Sequence, residues 1–238
     1  RAYVGFKENA TDGSREILIS QCDPARMHEL LGPISKELGA PAVHLAPEVS
    51  EVHWALLFPF SHFLDTYSFT INHLAPSSPS SHAAPILSVA LDHRDPATDT
   101  RTLTLVLTHP HHIWTVLLFD AEVVDWSMSD KTILLDDAGK THQRRHVIRH
   151  AGGHESASWN LTLTVRGAGG SLPVQINGIE RDGYHELVEA TVSKAKLGRS
   201  WRWTDRWGSA EVLARVEAVL PDWTTSLFVG FSVSTVVV

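Results

Sequence analysis

A single cysteine, Cys22, stands in a chain of 238 residues. One thiol excludes an intrachain disulfide and any cysteine-rich zinc site. It leaves Cys22 as a small buried hydrophobe or, in a secreted chain, one half of an interchain bridge. No apolar run reaches the roughly 18 to 20 residues that a membrane-spanning helix needs. The chain opens on Arg1 with no charged-then-apolar signal segment behind it, as a processed, excised or fragmentary chain does. The net charge of -7 lacks a concentrated block, and basic residues gather only at Arg144, Arg145 and Arg149 and at Arg199, Arg202 and Arg206. Nucleic acid is therefore not an expected partner.

Several catalytic signatures are missing too. There is no Gly-x-Ser-x-Gly elbow, no phosphate-binding glycine loop and no Glu-Glu pair. His28-Glu29, His154-Glu155 and His185-Glu186 each lack the second histidine, four residues on, of a zinc-protease helix. Cys22 precedes Asp23-Pro24 with no local sign of thiolate activation. His93-Arg94-Asp95 has the outline of a metal pair but falls in an apparent hairpin turn.

What the sequence has in abundance is histidine, 15 in all, so its charge should change as pH falls through about 6.5. "HQRRHVIRHAGGH" places His142, His146, His150 and His154 four residues apart. On a helix that spacing could chelate zinc; on a strand it separates the rings by about 13 Å, too far for one ion. Val147 and Ile148 at the centre and Gly152-Gly153 after them point to a strand entering a turn, with separate surface or edge histidines. "THPHHIW" offers His109, His111 and His112 around a proline, and a tight turn could aim two imidazoles at one ion. Without a carboxylate these three are weak metal candidates, read first as turn and packing residues. No cofactor is expected.

Most of the chain reads as strands, at 67–74, 86–93, 101–109, 112–120 and 159–167, where apolar residues alternate with Thr, Ser or Asn. Residues 92–101 look like a hairpin connection and 75–85 like a surface loop. Helical spacing marks 25–38, although Gly32-Pro33 should break or kink it, and 209–220, bounded by Ser209 and Pro221. The apolar tail 226–238 must pair within a sheet, its own or a neighbour's. The expected fold is mainly β, a jelly-roll-like β-sandwich with one or two peripheral helices. A single domain over 1–238 is expected, with 1–65 an irregular and helical extension packed on it.

Two Asn-x-Thr sequons, at Asn9 and Asn160, are candidate glycosylation sites. Asn160 alternates with Trp159, Leu161, Leu163 and Val165 and should face outward. "GRSWRWTDRWG" could present Trp201, Trp203 and Trp207 to a ligand such as a glycan; stacking of Arg202 and Arg206 on these rings is the simpler reading.

Five stretches in order, "THPH" (108–111), "DWS" (125–127), "IRHAGG" (148–153), "SWNLTLTV" (158–165) and "LPDWT" (220–224), resemble the C-terminal luminal domain of endoplasmic reticulum metallopeptidase 1. That family is one of multipass membrane proteins with an M28-type zinc aminopeptidase domain at the other end. "FPFSHFL" (58–64) is similar to a further family segment, and the resemblance covers about residues 15–238. It departs from the family in having only Cys22 and in reading Arg149-His150 where the family has a tyrosine-rich turn.

The resemblance implies that the peptidase zinc ligands lie outside this chain, and so that the chain is not itself an enzyme. It implies a noncatalytic β-sandwich in the secretory-pathway lumen, or extracellular after release, that supports or binds a partner. The partner would be its own peptidase or membrane portion, or copies of itself. A subunit of an extracellular polymer built by strand pairing through the tail is the alternative, and a glycan-binding module a lesser one.

Overall fold

The computed structural model describes residues 2–21, 27–45, 64–73, 84–136, 139–153, 155–167, 169–180, 208–224 and 226–238. In chain order its elements are β1 (Ala2–Asn9), β2 (Arg15–Gln21), α1 (Met27–Leu38), β3 (Val43–Leu45), β4 (Thr66–Thr70), β5 (Ile86–Asp95), β6 (Thr100–Thr108), β7 (His112–Ala121), β8 (Val123–Trp126), β9 (Arg144–Ala151), β10 (Ser158–Arg166), β11 (Pro173–Glu180), α2 (Gly208–Val219) and β12 (Ser226–Val237). A short 3-10 helix, Thr132–Leu134, follows β8. The described residues are mainly β with two helices, as alternation and helical spacing indicate. Among the described residues no helix is long and apolar enough to cross a membrane. The chain divides into two compact units, one from residues 1–83 and 179–233, the other from 84–178 and 234–238.

In the first unit the strand order is β3-β4-β2-β1-β12. Val4, Phe6, Ile17, Ile19 and Phe69 face one way and pack with Met27, Leu30, Ile34 and Leu38 of α1 and with Val212, Leu213 and Val216 of α2. On the opposite face Leu18, Phe231 and Val233 pack with Leu45 and Ile179. The tail finds its partner in this chain: β12 runs parallel to β1, from Ala2 opposite Ser226 to Asn9 opposite Val233. Helix α1 passes through Pro33 without ending. An interior proline costs about 3 kcal/mol, and the burial of four large apolar side chains of α1 offsets it. The helix stops at Gly39, whose φ of +63° suits glycine. Ala40 N donates to Ser35 O (3.2 Å), and the His73 Nε2–H donates to Leu38 O (2.9 Å).

The second unit is a two-layer sandwich of a four-stranded sheet, β5-β6-β10-β8, and the strands β11-β7-β9. Leu103, Leu105, Leu107, Leu161, Leu163 and Val165 from the first layer meet Leu117, Phe119, Ile148, Val174 and Ile176 from the second. The hairpin connection expected at 92–101 is shorter, residues 96–99, because β5 runs to Asp95 and β6 starts at Thr100; His93, Arg94 and Asp95 lie on β5 and not in the turn. Asp95 closes it, accepting from Ala97 N (2.9 Å) and Thr98 Oγ1 (2.7 Å). Arg101, only 4% exposed, grips both Asp92 oxygens (2.8 and 2.9 Å) and donates to Gly170 O (2.9 Å) and Val238 O (3.3 Å). That guanidinium holds the Asp92 carboxyl below its usual range, first through the hydrogen bonds and then through its charge.

Candidate functional site

At one end of the sandwich the β6–β7 connection is a proline turn. His112 N donates to His109 O (3.1 Å), closing four residues with Pro110 second, the position where its fixed φ fits. His109 N donates to Ala157 O (2.7 Å). The His109 ring turns inward and is fully buried. Its Nδ1 lies 3.0 Å from His112 O; a carbonyl only accepts, so Nδ1 carries the proton. Its Nε2 is buried and without a hydrogen-bond partner among the described residues.

That ring meets the edge of His150, with centroids 5.5 Å apart and planes at 65°. His150 stacks on Trp159 at 5.1 Å and 25°, and the Trp159 Nε1–H donates to Thr115 Oγ1 (2.9 Å). His150 Nδ1 is also buried without a described partner. Burial, and secondarily the neighbouring His109, pulls the pKa of His150 down.

Four residues back on β9, His146 is 6% exposed. It stacks on Phe119 at 5.3 Å and meets the edge of Trp126 at 6.0 Å. Its Nε2–H donates to Ala121 O (3.1 Å). Burial lowers its pKa, and the Ala121 hydrogen bond opposes that.

The spaced histidines thus lie on a strand, as their β-branched neighbours indicate, but His146 and His150 face inward with Ile148 between them. The reading as surface or edge histidines misses this. β9 ends its layer, and the neutral rings serve as flat packing surfaces beside aromatics. His142 is exposed ahead of the strand, and His154 lies outside the described residues. The turn buries His109 and His112, while His111 is half-buried. Among the described residues no group of three His, Cys, Asp or Glu side chains could hold a metal ion. The cluster can stack and lock the turn.

Asn160 is exposed on β10, and Asn9 ends β1 with its Oδ1 accepting from Thr11 N (3.0 Å). Trp201, Trp203, Trp207 and Cys22 lie outside the described residues. Trp126 is core at 4% exposed, and Trp159 packs against the core. Trp223 is instead 52% exposed, in a turn closed by Thr224 N donating to Pro221 O (2.8 Å).

The buried histidines set a pH dependence. Burial holds their folded pKa values below the ordinary imidazole range, so below about pH 6.5 the unfolded chain binds more protons and stability drops as the pH drops. Each histidine contributes at most about 1.4 kcal/mol per unit of pH in that window. Urea midpoints should therefore fall from about pH 7 to about pH 5, and the fall should shrink in His146→Phe and His150→Phe. An unchanged slope in both variants would locate the effect elsewhere.

Residues 7–226 match the family model described as "Endoplasmic reticulum metallopeptidase 1, C-terminal domain". A Schizosaccharomyces pombe protein named "Putative endoplasmic reticulum metallopeptidase 1" is 25% identical over 232 residues, covering 97% of this chain and 25% of that protein. The chain thus spans about a quarter of the length of this curated relative. A solved structure titled "Fcho1 Mu homology domain (Danio Rerio) with bound Eps15 peptide" is 12% identical, covering 98% of this chain and 93% of that one, with a TM-score of 0.29.

Proposed function

This chain belongs to the endoplasmic reticulum metallopeptidase 1 C-terminal domain family, and from that membership we propose that it is a noncatalytic luminal domain supporting and binding the peptidase portion of its precursor. The observation that carries the proposal is the family match across residues 7–226 of a chain spanning only a quarter of its S. pombe relative. The chemistry of the buried cluster agrees with it. Each of the three buried or half-buried inward rings, His109, His146 and His150, lies against another ring, an arrangement suited to rigidity rather than to hydrolysis. In this reading the metal ligands and the membrane spans belong to other parts of the precursor.

The tail strand pairs with β1 of the same chain, so the polymer alternative draws no support from an unpaired end. Cross-linking of the intact precursor through lysines tests the partner. Lys131 and Lys140 should join this domain to the peptidase portion. Links confined to this domain, or running only between copies of it, would overturn the proposal.

A further inference from the structure

The edge strand β5 of the four-stranded sheet is divided by charge: residues 86–91 read Ile-Leu-Ser-Val-Ala-Leu, and 92–95 read Asp-His-Arg-Asp. Edge strands are commonly protected from pairing by charged side chains; here the charges guard only the second half. The uncharged half exposes Ile86 at 61% and Leu91 at 48%. Among the described residues no strand pairs with the outer edge of β5.

Strand register shows what lies beside that half. Asn160 of β10 is opposite Val106 of β6, and Val106 is opposite Ser88 of β5. The adjacent rows are Ser158, Thr108 and Ile86 on one side and Thr162, Thr104 and Leu91 on the other. Directly opposed residues share a face, so Asn160 looks out along the row midway between Ile86 and Leu91. Two strand spacings, about 10 Å, separate it from Ser88, within reach of the first sugars of an N-linked chain.

We propose that Asn160 carries an N-linked glycan that covers the uncharged half of β5 and the Val106 row, in place of the charges missing there. The proposal rests on the luminal reading above. In the transfer, Asn160 Nδ2 bonds to the anomeric carbon of a lipid-pyrophosphate-linked oligosaccharide. The carbon–oxygen bond to pyrophosphate breaks, the lipid pyrophosphate leaves, and the amide loses one proton.

In the folded sheet the sequon's threonine is held by its neighbours on both sides. Thr162 Oγ1 lies 3.0 Å from Thr104 Oγ1, Thr162 N donates to Ser127 Oγ (3.1 Å), and Thr162 O accepts from Ser127 N (2.8 Å). The transfer therefore precedes pairing of β10 and takes place on the unfolded, translocating chain.

The test uses the full-length precursor made in a eukaryotic secretory host. Peptide-N-glycosidase in heavy-oxygen water converts an occupied asparagine to labelled aspartate, read by peptide mass spectrometry. A parallel precursor carries Gly139→Asn, which completes a sequon with Thr141. Gly139 is exposed with a φ of +72°, its Cβ would meet nothing within 4 Å, and asparagine tolerates that conformation.

Label at Asn160, lost in both Asn160→Gln and Thr162→Val, is the expected result. Label at position 139 of the reporter without label at Asn160 would overturn the glycan and leave the luminal reading intact. Absence of label at both would overturn both. The covering role predicts a several-fold rise in hydrophobic-dye binding or self-association in Asn160→Gln, reversed by adding Ile86→Thr and Leu91→Thr. An occupied Asn160 whose loss changes neither would overturn the covering role.

Discussion

Trp159→Ala should lower the unfolding free energy by about 3 to 5 kcal/mol, the range for deleting a large ring from a packed site. Three losses coincide there. The indole packs against the sandwich core, and its removal opens a cavity. The stack on His150 disappears, leaving that ring with its edge contact to His109. Thr115 Oγ1 loses its indole donor (2.9 Å) on a residue with no exposed surface, and an unpaired buried hydroxyl is costly. Trp159→Phe separates these losses. It keeps an aromatic face for His150 but not the N–H donor, and should cost about 1 to 3 kcal/mol. Chemical denaturation of the two variants reads both values. Equal costs would mean that the hydrogen bond, not the ring, dominates this corner of the sandwich.

Gly178→Ala should be the second most damaging change, by about 1 to 3 kcal/mol, as a methyl forced into a filled site. A Cβ at Gly178 would lie 2.4 Å from His112 Cδ2, 2.6 Å from Pro85 Cγ and 2.9 Å from His112 Cγ. Those distances require movement of an imidazole that is itself 1% exposed, at the start of β7 where the proline turn ends. Adding His112→Ala to Gly178→Ala should recover part of the loss, because the space taken from the ring becomes available to the methyl. Each single change destabilises, so the double variant tests the contact through non-additivity. Strict additivity would show that the two residues are not coupled.

The strands most legible in the sequence are those with one buried face. Leu103, Leu105 and Leu107 alternate with threonine and valine, and β6 falls at Thr100–Thr108 against an expected 101–109. β1 and β2 are illegible in the sequence for different reasons. In β1 the alternation of Ala2, Val4 and Phe6 is weakened by small Ala2 and by Gly5. In β2, Ile17, Leu18 and Ile19 form a continuous run because both faces are covered, Ile17 and Ile19 by one cluster and Leu18 by the other, and such a run has no period to read. The pairing of β1 with β12 joins opposite ends of the chain, and no local pattern encodes it. Helix α1 was readable from its apolar spacing, but not its passage through Pro33, which depends on packing partners.

The site shows the same limit. Position and strand type were visible for His146 and His150, and the turn for His109 and His112. Their inward orientation was not, since a titratable ring at pH 7 gives no sign of whether it will stack neutral against an indole or face water. The alternation of His146, Ile148 and His150 with Arg145, Val147 and Arg149 is the signal that carries it. A preference for solvated histidine obscures that signal.

Measuring metal content and aminopeptidase activity of the purified chain together, with and without zinc and chelator, tests the proposal that this domain is noncatalytic. Background metal and no chelator-sensitive hydrolysis are expected, with activity expected of the intact precursor assayed alongside. Stoichiometric zinc in the isolated chain, with hydrolysis that the chelator abolishes, would contradict it.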